Sequence, residues 1–295
     1  MPPSPRSPLS VPIKVILLCL TTAAVGAVGN VIVRQMSFEM HVGQIAFFRN
    51  LFGFLSALIL LPLVAAPGQA MFAGALPIPP RIWGASLLNI TSMICFFAGI
   101  ALMPLGDMTA LSFASPVWAT IGAALFLKET VGRSRWIATI GGLIGVVVIL
   151  RPGLGAFTLP ALLVIAGTLA YSMSTLVVKT AGRSQNALTI VMQMALLMTL
   201  ASAGPAIFMW HEASLTNWVL GALLGSLATL GWFALTRALS MADASSIQPY
   251  DFARLPFTII PAYFLFGEMP DAFALLGSAI IFASALYASR QEMRR

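Results

Sequence analysis

The chain has 295 residues, of which 59% are hydrophobic and only 8% charged, and its mean hydropathy is +0.94. Such a composition excludes an ordinary soluble domain. The net charge of +7 does not describe a nucleic-acid surface either, because the lysines are only Lys14, Lys128 and Lys179 and the largest basic clusters are the pairs Arg133/Arg135 and Arg294/Arg295. Basic excess in an apolar chain is a matter of topology.

In chain order, residues 1–11 are rich in Pro and Ser and read as a tail without fixed structure. The apolar run after Lys14 is longer than a signal-peptide core and more such runs follow, which makes it an uncleaved first helix. Charge-free runs recur at Val15–Val33, Asn50–Pro80, Ile82–Gly106, Met108–Leu127, Pro152–Val178, Ser184–His211 and Ala213–Thr236. Crossing the hydrocarbon core takes about 20 apolar residues, so the chain is a polytopic membrane protein. Breaks between the runs predict ten helices near 12–35, 43–65, 81–103, 106–127, 133–150, 157–180, 186–208, 215–238, 245–267 and 271–289, with a Pro/Gly-rich loop over 66–80. Both cysteines, Cys19 and Cys95, fall inside spans and read as small packing residues.

Basic residues orient these helices. With both termini cytoplasmic, twelve basic residues (from Arg6 and Lys14 to Arg290, Arg294 and Arg295) lie inside and three, Arg34, Arg49 and Arg151, outside, with Arg254 left within a helix. Arg34 and Glu39 would then merely flank the first outer loop. Residues 291–295 form a second cytoplasmic tail.

The chain also repeats itself. Ala101-Leu102…Pro116-Val117-Trp118…Phe126-Leu127-Lys128-Glu129 matches Ala238-Leu239…Leu255-Pro256-Phe257…Leu265-Phe266-Gly267-Glu268, and each is followed by a helix rich in small residues. Five helices is an odd number, so the two halves, 12–151 and 157–290, cross in opposite directions. Inverted repeats place a substrate site near the midplane between the halves. The expected fold is therefore all-α, with ten transmembrane helices in two inverted five-helix repeats.

Asp251 and Arg254 are the charges this architecture must explain. Thirteen uncharged residues, Leu255 to Gly267, follow them, and Arg254 lies about 15 Å from the inner boundary at the helical rise. An isolated charge in hydrocarbon costs about 2.5–3.5 kcal/mol on the gentlest scale. Spaced i, i+3, the two share a helix face. Two readings stand: a mutually neutralising pair that packs helices, or a site in which Arg254 offers its planar fork to a substrate anion while Asp251 orients it or handles a proton. Pro249 and Pro256 flank the pair and break the backbone bonding, a feature that persists in membranes where a cavity satisfies the freed groups. Ser112, Ser115 and Pro116 stand at similar depth in the fourth helix. Candidate binding residues are Arg254, Asp251, Tyr250, Gln248, Ser112, Ser115, Asn89, Tyr171 and Trp232, with Phe113 a possible stacking ring. Asn30, Thr91, Ser92, Ser172, Ser174 and Gln193 form a second tier, able to line a cavity or to bond between helices. Arg49 closes an outer vestibule or snorkels. Glu129 and Glu268, at equivalent helix ends, are structural groups that cap the helix following each. Gly141/Gly145 and Gly221/Gly225 permit close contact within the fold or in a homodimer.

No lysine follows a glycine, the two histidines His41 and His211 are far apart, and acidic residues other than Asp251 lie at helix ends or in loops. These facts count against ATP-driven pumps, metal sites, cofactor chemistry and a membrane enzyme, and leave a gradient-driven carrier, with a non-transporting scaffold as a rival.

The Phe47-Phe48-Arg49-Asn50 segment, the Pro116 to Glu129 stretch and its counterpart Pro256 to Glu268 resemble the drug/metabolite transporter superfamily, specifically ten-helix EamA-type carriers of the amino-acid and metabolite branch. The resemblance covers nearly all residues after 12 and implies alternating access in a bacterial inner membrane. It leaves the substrate open between an amino acid or related compound, the first expectation, and a larger aromatic or nucleoside-like metabolite such as riboflavin or S-adenosylmethionine.

Overall fold

The computed structural model describes residues 13–64, 77–128, 131–150, 158–181, 187–239, 241 and 250–293. Among these the chain is helical: α1 (Ile13–Met36), α2 (Val42–Val64), α3 (Pro80–Leu102), α4 (Leu105–Ser112), α5 (Ser115–Phe126), α6 (Arg133–Leu150), α7 (Leu159–Ala181), α8 (Ala187–Phe208), α9 (Leu215–Leu239), α10 (Arg254–Phe266) and α11 (Ala272–Met293). Seven spans are long and apolar enough to cross a membrane, α4 and α5 together counting as one, and shorter apolar helices at Trp136–Leu150, Arg254–Phe266 and Ala272–Ala288 complete the ten predicted crossings. Pro80 opens α3 in the first turn, where a missing N–H costs nothing. Large apolar side chains such as Ile59, Phe208 and Phe264 stay exposed on the outer surface, as the lipid-facing wall of a membrane protein requires.

The two halves interleave instead of sitting side by side. Numbering the spans one to ten, with α4 and α5 as span four, the main contacts join three to six, one to eight, five to ten, two to seven, two to eight, three to seven, four to nine, one to nine and four to six. Replacing each span n by its repeat partner maps this set onto itself: three–six becomes eight–one, two–eight becomes seven–three, and one–nine becomes six–four. That self-mapping is the signature of two inverted five-helix repeats related by a pseudo-twofold axis.

Close crossings depend on glycine. A Cβ at Gly145 would stand 2.7 Å from the Gly277 carbonyl, and one at Gly225 2.5 Å from the Gly53 nitrogen. Gly141 abuts Ser284 and Gly221 abuts Phe48. Both small-residue motifs are therefore used within the fold. Cys19 and Cys95 are free thiols.

The fourth predicted span is broken into two helices by a kink at Phe113-Ala114. Span nine kinks at the matching place, since Tyr250-Asp251 are helical, Phe252-Ala253 form a turn, and α10 starts at Arg254. Ala114 (φ −69°, ψ −15°) and Ala253 (φ −60°, ψ −19°) have nearly the same backbone. Each kink is a tightened turn, not an unwound stretch: Ala114 N–H donates to Leu111 O at 3.0 Å and Ala253 N–H to Tyr250 O at 3.1 Å. Proline is the cause. Pro116 cannot donate to the Ser112 carbonyl four residues back, nor Pro256 to that of Phe252. The freed Ser112 carbonyl accepts the Ser115 hydroxyl at 2.8 Å, and the freed Phe252 carbonyl accepts Leu255 N–H at 3.1 Å.

Candidate substrate-binding site

The two kinks meet. Phe113 and Phe252, at equivalent positions of the repeats, stack with ring centroids 4.4 Å apart and 32° between planes, and Phe252 also packs edge-on to Phe282 at 5.0 Å. Beside this stack lies a cavity of about 440 Å³ whose wall includes Asn30, Arg49, Asn89, Ser112, Ser115, Pro116, Tyr171, Trp232, Asp251 and Arg254. Its volume falls within the range of small-molecule sites.

Asp251 and Arg254 bond to each other across the start of α10, with Nη2 donating to Oδ1 at 2.5 Å. Their side chains are 44% and 32% exposed, so the pair faces the open cavity and is not sealed between helices. Gly26 of α1 lies beside the arginine, where a Cβ would meet its Nε at 3.6 Å and its Cδ at 3.8 Å in ordinary contact. Arg49 comes from α2, in the other repeat. Its Nη1 donates to Asn50 Oδ1 at 3.0 Å, and Asn50 is itself fixed to α8, its amide donating to Met198 O and Ser202 Oγ, both at 3.3 Å. Tyr171 lines the same cavity as Arg49, Asp251 and Arg254. Ser172, the next residue on α7, donates to the Ser115 carbonyl at 2.8 Å and ties that helix to the kink of span four.

The cavity thus collects Asn89, Ser112, Ser115, Tyr171, Trp232, Asp251 and Arg254 as expected from the sequence, and Asn30 and Ser92 from the second tier. Ser174 instead bonds across helices, to Ala85 O at 2.8 Å, and Thr91 turns back on its own helix. Tyr250 does not belong to the wall. It packs with Val15, Cys19 and Ala238, because one residue before Asp251 it lies on another side of the turn. Arg49 lines this same cavity. Gln248, Pro249 and Glu129 lie outside the described residues. Pro256 is exposed in the first turn of α10. Phe252, Phe96 and Met93 were not anticipated from the sequence, although the repeated Phe-Ala dipeptide at the two kinks was a signal for Phe252.

Glu268 does not cap the helix that follows it. Asp271 serves α11, accepting from Phe273 N–H at 3.1 Å. Glu268 forms a close ion pair with Arg34, and its Oε2 accepts the first amide of α4, Leu105 N–H, at 2.7 Å. Arg34 also donates to Ile100 O at the end of α3. Four helix ends are thereby joined on one face, and Arg34 is no simple interface marker. Gly267 before it is left-handed (φ 67°), as is Lys128 (φ 52°), its repeat equivalent.

The model of the EamA-like transporter family matches residues 13–151 and 158–290, one match per half. The chain belongs to this family. Among curated relatives of this EamA-like protein, the S-adenosylmethionine uptake transporter of Rickettsia conorii is 30% identical over 269 residues, 90% of each chain. The riboflavin transporter of Vibrio cholerae is 34% identical over 194 residues, 65% of each chain. A crystal structure shares the fold with a TM-score of 0.63 at 14% identity, covering 95% of this chain and 96% of that one. The EamA-like protein is thus a multi-pass inner-membrane metabolite transporter and not an enzyme.

Proposed function

We propose that this EamA-like carrier moves a heteroaromatic or nucleoside-like metabolite with a polar arm, by alternating access of one central cavity. The observation that carries the reading is the meeting of the two kinks. An aromatic stack, an ion pair facing the cavity and a second arginine border one space of about 440 Å³. A flat ring can stack beside Phe113 and Phe252, while Asp251, Arg254, Tyr171, Asn89, Ser112 and Ser115 supply polar contacts for the arm. The relatives' named substrates, S-adenosylmethionine and riboflavin, both join a heterocycle to a polar chain, which favours this reading over an amino acid. The kinks at Pro116 and Pro256 serve as hinges, and the Arg34–Glu268 pair closes the path on its own face. Because the main contacts join one repeat to the other, the moving groups mix spans from both repeats and rock about the stacked rings.

Flux into proteoliposomes tests this. Riboflavin or S-adenosylmethionine should accumulate with the wild type and not with Arg254→Ala. Failure of both compounds to move, with the purified protein folded and monodisperse, overturns the substrate class. Unchanged flux in Arg254→Ala removes that residue from the site.

A further inference from the structure

The two arginines of the cavity are not equivalent. Arg254 is neutralised by Asp251 at 2.5 Å. Arg49 meets no carboxylate among the described residues, and its hydrogen bond goes to the neutral amide oxygen of Asn50. An arginine cannot discharge itself by losing its proton, and an uncompensated charge away from bulk water is costly. Arg49 avoids that cost by facing the cavity, where an incoming group can meet it. The three charged side chains of the wall, Arg49, Asp251 and Arg254, therefore sum to one positive charge.

We infer that Arg49, not Arg254, takes the anionic group of the substrate and so sets its charge: the site prefers a heteroaromatic metabolite whose arm bears a carboxylate or phosphate. This rests on the substrate class proposed above. Asn50 is the positioning residue, since its bonds to α8 aim the guanidinium. Arg254 holds Asp251 in place, which leaves the carboxylate oriented for a cationic or hydroxyl group of the same ligand.

Ligand pairs that differ by one anionic group test the assignment: S-adenosylmethionine against its decarboxylated form, and riboflavin 5′-phosphate against riboflavin, titrated into purified protein. The anion-bearing member should bind about tenfold more tightly to the wild type, the scale of one charge-assisted contact. Arg49→Gln should abolish that preference, Arg49→Lys should keep part of it, and Arg254→Gln should weaken both members alike. A preference that survives Arg49→Gln, or that Arg254→Gln erases instead, overturns the inference.

If neither pair binds, the heteroaromatic reading fails and the charge of the cavity decides Arg49 separately. In a Cys19→Ala/Cys95→Ala background, a cysteine replacing Asn89 is labelled with methanethiosulfonates bearing either a sulfonate or a trimethylammonium. The anionic-to-cationic rate ratio should fall about tenfold on adding Arg49→Gln, as expected for one nearby charge at intermediate dielectric. An unchanged ratio sinks the inference whatever the substrate.

Discussion

The kinks of spans four and nine share a backbone and differ in chemistry. Both place Phe-Ala at the bend, with near-identical dihedrals at the alanine, and the two phenylalanines stack on each other. Around them, however, Ser112 and Ser115 stand where the other half carries Asp251 and Arg254. The repeat has kept the hinge and diverged in the groups it presents. A symmetric scaffold thereby yields an asymmetric cavity, with an ion pair at one kink and hydroxyls at the other. An asymmetric substrate needs such a difference, because a symmetric pair of walls could not distinguish its two ends.

The strongest way to break the comparison is to remove one charge. Asp251→Asn leaves Arg254 uncompensated, and transport should be lost with destabilisation of about 1–3 kcal/mol. That is less than for a sealed pair, because both groups face an open cavity. The double variant Asp251→Asn/Arg254→Gln should recover most of the stability and none of the transport, read by thermal melting and flux. Equal recovery of both would reduce the pair to a packing device.

The stacked rings come next. Phe252→Ala should lower the melting temperature more than Phe113→Ala, since Phe252 also touches Phe282. A double-mutant cycle between Phe113 and Phe252 should give a coupling of about 0.5–1.5 kcal/mol. Additive effects would mean that the rings are neighbours without mutual dependence.

A smaller difference lies in how each kink satisfies its freed carbonyl. Ser115→Ala removes the hydroxyl that serves Ser112 O and should cost about 1 kcal/mol in chemical unfolding. In span nine a backbone amide does this work, so Arg254→Ala has no matching carbonyl penalty. The smallest effect concerns the left-handed residues closing both helices. Lys128→Gly should stabilise by about 0.5–1 kcal/mol, and Gly267→Ala should destabilise by a similar amount. A destabilising Lys128→Gly would show that the lysine side chain contributes more than its backbone costs.

Much of this was legible from the chain alone. Hydropathy located the ten crossings because hydrocarbon tolerates backbone only in helical form. The Pro-Glu stretches revealed the repeat, and the charges at Asp251 and Arg254 stood out because charge is expensive there. The faces of the helices were not legible. A soluble helix shows its buried side by polarity, whereas these helices are apolar all round, so nothing in the pattern placed Tyr250 off the wall or Arg49 on it. Glu268 was misjudged for a related reason. Its partners, Arg34 and Leu105, are 234 and 163 residues away, and a local capping rule looks only to the next helix.

Composition and repetition by themselves determined a membrane-embedded, two-fold repeated helical carrier with a charged pair in an otherwise apolar segment. Only the tertiary structure decided which groups share the cavity, that the halves interleave, and that one arginine pairs with a carboxylate while the other meets none among the described residues. The reason is physical: crossing a membrane is a property of each segment, whereas the pairing of a charge depends on what another segment brings beside it.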